Sequence, residues 1–390
     1  MRRLLFLACA VVFLDVTFFA VLTPLLPSYQ SDLGVGDGAA GLLSASYAAG
    51  TLVMALPAGW LAARVGPRRT LIAGLVGIGV FSPLFGFAEH LVLLDASRFL
   101  QGASGALMWA GALSWVVSAA PREQRGQVLG TVISAAVVGE LLGSPLGAIA
   151  HEVGTEIVFS SVTFFAIGLM ALALTIPQVA EVDGQPVREA IAAFRGSNVL
   201  RGMVMLAGPS VAFGLMVVVA PLRMDDLGAS PFLIAAAFAS GSVIEAIAGP
   251  LIGRYSDRVG RTAPFLFGIE VIIAGVIAMG VFNVLWVQAA AVVAVAFGAG
   301  LSFTPASTLV TDAATSAGIN QGYASGASEV AWGGGHMVGS AGAGLLAGLS
   351  GYLLPSLLVA LLLVGVTAVA RRTIQTLPTE SLAPAAEEFK

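Results

Sequence analysis

Twelve runs of roughly 20 apolar residues, separated by polar punctuation, divide the 390-residue chain. A helix needs about 20 apolar residues to cross the hydrocarbon core of a bilayer. Only helices and closed barrels can satisfy their backbone groups there. The runs cover approximately residues 4 to 27, 39 to 62, 70 to 88, 92 to 119, 128 to 150, 157 to 176, 200 to 222, 231 to 252, 264 to 282, 286 to 311, 320 to 346 and 352 to 370. They predict an all-α integral membrane protein of twelve transmembrane helices. Composition agrees: a soluble domain is about a quarter charged, whereas this chain is 57% hydrophobic and 10% charged, with a mean hydropathy of +0.94. The lipid bilayer is its expected surrounding, and a net charge of −4 gives no footprint for nucleic acid. The single cysteine, Cys9, lies in the first apolar run and can form no internal disulfide.

The N-terminal "MRRLLFLACAVVFLDVTFF" has the basic start and apolar centre of a signal peptide. The run continues through Asp15 to Pro27 with no small-residue cleavage site, so it reads as the first membrane helix. Orientation follows from the basic residues. With the N-terminus inside, sixteen of the eighteen Lys and Arg fall on the cytoplasmic side, Arg223 faces out, and Arg98 lies within a span. An odd helix count would scramble that asymmetry. The chain is therefore expected to be multi-pass in the plasma membrane, the cell inner membrane, with both termini cytoplasmic. It divides into a six-helix bundle over residues 1–176, a cytoplasmic linker over 177–199, a second bundle over 200–370 and a tail over 371–390.

The halves repeat. "GWLAARVGPRR" from Gly59 has the same shape as "GRYSDRVGR" from Gly253, 194 residues later, and "LLSASYAAGT" from Leu42 echoes "LIAAAFASGS" from Leu233. A parallel repeat of six helices, each with a basic turn between its second and third, is the expected signature of two bundles rocking about a central site.

On these residues the chain resembles the major facilitator superfamily. Its loop pattern, Gly-x-Leu-x-Asp-Arg-x-Gly-Arg-Arg, maps onto Gly59, Leu61, Arg64, Gly66 and Arg68, and again onto Gly253, Asp257, Arg258, Gly260 and Arg261. The first copy departs from it, with Ala63 in place of Asp and Pro67 in place of Arg. The resemblance implies a gating loop, with Asp257 helping to latch the halves on the cytoplasmic side. "RFLQGASGA" from Arg98 resembles the fourth-helix pattern whose arginine the family implicates in proton coupling. Gly130, Gly139, Gly143, Pro145 and Gly147 resemble the antiporter motif of helix five, although Ser144 splits its Gly-Pro pair and Ala148 replaces a final glycine. "LDVTFFAVLTPLLP" from Leu14 resembles the first helix of drug and metabolite antiporters. The resemblance thus implies the drug:proton antiporter branch.

A charge at bilayer depth costs a few kcal/mol or more, so each one invites a functional reading. Asp15 sits near the centre of helix one beside Phe13, Phe18 and Phe19. There it can bind a proton or exchange it for a cationic substrate; the alternative is a carboxylate permanently paired with Arg98 or capping a broken helix. Aligning "GELLGSPLGA" with "GHMVGSAGAG" superposes Glu140 on His336, two titratable groups expected to face one cavity, with packing of a neutral histidine as the alternative. Glu329, two turns before His336, is expected on the same face. Glu245 and Glu270, expected near cytoplasmic helix ends, have structural roles in this reading. Phe18, Phe19, Trp109 and Trp332 are candidate cavity aromatics for apolar or cation-π contacts, against the plainer role of packing.

The expectation is a monomeric secondary transporter that exports small, partly apolar, cationic or neutral molecules in exchange for protons. It needs no cofactor, because a proton gradient supplies the energy. A proton symporter importing a sugar or small metabolite is the runner-up within transport; the interior carboxylates outnumber the single arginine Arg98, which disfavours anions. A membrane receptor or membrane enzyme is the reading from another class. Three histidines, no metal-ligand spacing and no phosphate-cradling glycine loop followed by Lys give enzymatic chemistry little support.

Overall fold

A computed structural model describes residues 1–121, 124–177, 197–259, 262–316, 318 and 321–375, with the backbone alone at 197, 248–259, 262, 315, 321–322 and 372–375. Its regular elements are helices: α1 (Arg2–Leu33), α2 (Asp37–Val65), α3 (Pro67–Gly86), α4 (Leu91–Ala119), α5 (Arg125–Val153), α6 (Thr155–Thr175), α7 (Ser197–Asp226), α8 (Pro231–Val259), α9 (Thr262–Val281), α10 (Leu285–Ser316), α11 (Gln321–Ser350) and α12 (Leu353–Gln375). α1 is one span whose segments Arg2–Ala20 and Leu22–Leu33 meet at Val21, which keeps right-handed helical angles. Among the described residues, nine helices are long and apolar enough to cross a membrane. α4 and α11 fall outside that set and carry Arg98 and the Glu329/His336 pair; the fully described part of α8, Pro231–Ile247, is a shorter apolar helix that carries Glu245.

The helices run up to seven residues past the expected boundaries, with one consequence. α8 runs to Val259 rather than to 252, so Glu245 lies at its middle and not near its end. Most of the expected linker (178–196), the end of the tail (376–390) and the side chains of Gly253, Asp257, Arg258, Gly260 and Arg261 lie outside the described residues.

Each bundle packs by one scheme: α1 on α4 and α5, α4 on α2 and α3, α3 on α6, and correspondingly α7 on α10 and α11, α10 on α8 and α9, α9 on α12. The repeat is visible in the backbone itself. A methyl carbon at Gly139 of α5 would lie 2.7 Å from the Phe13 carbonyl oxygen of α1, and one at Gly335 of α11 would lie 2.5 Å from that of Ala207 in α7. One turn on, Gly143 meets Thr17 and Gly339 meets Val211. Phe13 to Ala207 and Thr17 to Val211 are both steps of 194 residues, the offset of the basic loops. Glycine at these crossings lets two backbones touch, the small-residue packing that membranes favour because lipid supplies no hydrophobic drive between helices.

The bundles meet along α2–α11 and, by the same symmetry, α5–α8. The α2–α11 seam is tight at the end of the α1–α2 turn and loosens towards the other. A methyl carbon at Gly344 would approach the Asp37 oxygen to 2.5 Å, at Gly41 the Ser340 oxygen to 2.7 Å, at Gly333 the Ala48 oxygen to 3.1 Å and at Gly326 the Ala55 oxygen to 3.4 Å. At the looser end α2 reverses into α3 through Gly66, whose φ of +94° excludes most side chains, and Pro67 starts α3 with its ring pre-set for the helix.

Candidate functional site

Where the seam loosens, a cavity of about 230 Å³ opens between the bundles. Its walls are mainly small or apolar, with Ala55, Gly59, Ala106 and Leu113 among them; Trp109 and Glu329 line it too, as does Arg125 of the α4–α5 end. Trp109 connects it to the buried Asp15, whose Oδ2 accepts a 2.9 Å hydrogen bond from the indole N–H. Tyr47 of α2 donates to Oδ1 at 2.7 Å. Glu329 bears electrostatically on both Asp15 and Tyr47. Two carboxyl groups, one in the cavity wall and one hydrogen-bonded to Trp109 of that wall, therefore share a site of low polarity.

Arg98 does not pair with Asp15. It donates to the carbonyl oxygens of Phe18 (3.0 Å) and Phe19 (2.6 Å) and to the amide oxygen of Gln101 (3.0 Å), which in turn donates to Ser82 (3.2 Å). Its guanidinium lies 5.0 Å from the Tyr47 ring centroid, so Tyr47 is the neighbour shared by the two charges. The carbonyls of Phe18 and Phe19 lie in the turn before Val21, where α1 changes segment. Arg98 thus supports the joint of α1 and leaves the Asp15 carboxylate to neutral donors. Behind Arg98 and Phe19, towards the tight end of the seam, lies a small space of about 10 Å³, room for about one water.

Phe19 is the aromatic hub, with ring centroids 5.0 Å from Tyr47, 5.7 Å from Trp332 and 5.4 Å from His336. Phe18 turns away and packs on Phe159 of α6 at 5.7 Å. His336 is fully buried, stacked on Trp332 at 5.2 Å and tilted against Phe213 of α7 at 5.7 Å. Neither His336 nor Glu140 is in the cavity wall. The equivalence read from the repeat is real, but α5 packs across the bundles on α8 and α11 on α2, so equivalent residues meet different partners. Glu140 bears on Glu245 of α8, which lies against Gly300 of α10.

The first basic loop is fully placed. Gly59 lines the cavity, the Arg64 guanidinium sits 5.3 Å from the Trp60 ring centroid, Gly66 makes the turn, and Arg68 donates to the Ile176 carbonyl at 3.4 Å, tying this loop to the end of α6. In the glycine motif, Gly139, Gly143 and Gly147 face α1, Pro145 lies within α5, and a methyl carbon at Gly130 would meet no neighbour within 4 Å.

Sequence reasoning missed Tyr47 and Gly105. A methyl carbon at Gly105 would lie 2.6 Å from both Asp15 Oδ1 and the Tyr47 hydroxyl, so glycine there leaves room for their hydrogen bond. The repeat held a signal for Tyr47: it stands where the second copy has Phe238, a hydroxyl in one half only. Tyr47→Phe, which keeps the ring and removes one of the two hydrogen bonds to Asp15, is expected to leave the fold intact and to lower the melting temperature by about 3 °C. Thermal unfolding of the purified protein checks this; an unchanged melting temperature means that the bond contributes nothing to stability.

A sequence model of the Major Facilitator Superfamily matches residues 7–327 and again 210–389. Among curated relatives, the MFS-type transporter ppzB of Metarhizium rileyi is 33% identical over 42% of this chain, and the match spans about a third, 35%, of that relative's length. The chloramphenicol resistance protein of Streptomyces lividans is 30% identical over 61% of this chain and 62% of its own. The multidrug resistance protein MdtG of Enterobacter lignolyticus is 27% identical over 70% and 69%. Among solved structures, a partially occluded, inward-open xylose transporter XylE from E. coli superposes with a TM-score of 0.75 at 16% identity over 97% of this chain and 98% of its own. The human organic anion transporter MFSD10 gives 0.71 at 17% identity over 95% and 99%.

Proposed function

The chain belongs to the Major Facilitator Superfamily, a family of transporters, and on that premise we propose that it exports small amphipathic compounds, cationic or neutral, in exchange for protons. The observation that carries this reading is the Asp15 carboxylate, buried behind Trp109 and bonded by neutral donors alone, beside the Glu329 carboxyl in the wall of a cavity open at one end. A carboxylate with no cation bonded directly to it can trade its charge for a proton or a cationic cargo, and coupling requires that the two bind differently to the two states of the cycle. The cavity opens at the end of the α2–α3 turn, which the excess of basic residues assigns to the cytoplasm. Drug-resistance relatives and a largely apolar wall favour apolar cargo.

In this scheme cargo enters from the cytoplasm, the bundles rock about the α2–α11 and α5–α8 seams, and a proton from outside displaces the cargo and returns with the protein. Asp15, Glu329 and Arg98 act at the centre; the plasma membrane, protons and the cargo are the partners, and the monomer is the working unit. The test is proton flux in everted vesicles under an imposed pH gradient, challenged with lipophilic cations, neutral hydrophobes and sugars. Dissipation by cations or hydrophobes is expected; dissipation by sugars alone replaces export with a sugar symporter.

A further inference from the structure

His336 is hard to explain as packing. Both its ring nitrogens are buried and, among the described residues, have no hydrogen-bond partner. Neutral imidazole carries one donor and one acceptor, and leaving either unmade in a dry interior opposes the folded state. A phenylalanine would stack on Trp332 as well without that loss. The ring is held at a junction of both bundles, between Phe19 of α1, Phe213 of α7 and Trp332 on its own helix. Glu329, Trp332 and His336 descend one face of α11, from the cavity wall through a half-buried indole to the closed interior. Just beyond, Ser340 donates to the Gly214 carbonyl at 3.1 Å, where the seam is tight.

We propose that His336 and Trp332 form a substrate subsite, closed in this conformation and exposed when the α2–α11 seam parts, that takes a flat aromatic cation carrying an N–H donor. The ligand's ring stacks on Trp332 and Phe19, its N–H bonds the imidazole lone pair, and its positive charge lies towards Glu329. Stacking of a cation on an indole and an unmet acceptor at the same place fit that chemistry, whereas a permanently charged ion without N–H groups leaves the imidazole unmet. This inference rests on the export reading and adds a class of cargo to it.

The test measures equilibrium binding of ethidium, which carries aryl amine donors, and tetraphenylphosphonium, which carries none, to the purified full chain and to His336→Phe. The expected result is a Kd for ethidium raised about tenfold by His336→Phe, an unchanged Kd for tetraphenylphosphonium, and a melting temperature higher by about 3 °C as the unmet nitrogens are removed. His336→Asn, which keeps an acceptor, is expected to recover part of the ethidium affinity. Equal effects on both ions, or none, overturn the subsite while leaving the export reading intact. If the unmodified protein binds neither ion, both fall.

Discussion

Asp15→Asn is expected to abolish transport coupled to protons while the protein still folds and still binds cargo. Asparagine nearly matches aspartate in shape, and its carbonyl oxygen can accept from either Tyr47 or Trp109, but its amide nitrogen cannot accept from the other. One donor in the site goes unmet, a loss of about 1–3 kcal/mol, which a protein of this size tolerates. The decisive change is that the side chain no longer binds or releases a proton anywhere in the accessible pH range. We expect the rate of efflux driven by a pH gradient to fall more than about 100-fold, a barrier increase near 2.7 kcal/mol. Equilibrium binding of a neutral cargo is expected to change by no more than about threefold. Flux in everted vesicles and binding to purified protein, each with a check of monodispersity, separate the two quantities. Proton-driven export by the variant within about threefold of the unmodified rate would falsify the role of Asp15 and leave Glu329 as the coupling carboxyl in the cavity.

How much of this was legible beforehand differs by level. The spans were readable because lipid imposes one length and one polarity on each, and the repeat because the 194-residue offset of its basic loops recurs between α1 and α7 at their crossings with α5 and α11, where glycines admit a backbone and little else. The centre was readable in part: a carboxylate in a run of phenylalanines marks itself by its energetic cost. Its partners were not, because Tyr47 reads as one more packing aromatic until α2 is placed against α1. Arg98 shows the limit from the other side. From sequence it is the natural counter-ion for Asp15, yet backbone carbonyls at the joint of α1 take its donors. Glu140 and His336 occupy equivalent places and meet unlike neighbours, since pseudo-symmetry relates the helices of the two halves but not the residues each one touches across the seams.

Gly41→Leu is expected to stop turnover by a different route, by holding the protein open at the end that is closed here. A methyl carbon at Gly41 would sit 2.7 Å from the Ser340 carbonyl oxygen and 2.8 Å from the Gly344 Cα. Both obstacles are backbone, so no side-chain rotation relieves them, and the rest of a leucine adds to the clash. α2 and α11 must separate at that end. Only the state with this end closed makes the contact, so the substitution acts on the equilibrium between states. Overpacking a tight contact costs about 1–3 kcal/mol or more, and about 5.5 kcal/mol carries a two-state equilibrium from 1:99 to 99:1. The expected consequence is export reduced more than about 50-fold, within that energetic range. A reporter cysteine at Ser44, which bonds Ser340 at 3.5 Å in the closed seam, reads the conformation directly in a Cys9→Ser background. Labelling by an impermeant maleimide from outside is expected to accelerate at least about tenfold in Gly41→Leu. Gly348→Ala is the matched control on the same seam, because its methyl carbon would lie 3.7 Å from the Gly38 nitrogen, an ordinary contact, and both export and labelling should stay near the unmodified values. Full export by Gly41→Leu with Ser44→Cys still protected would mean that the seam does not open during transport, and alternating access would then need another pair of helices as its gate.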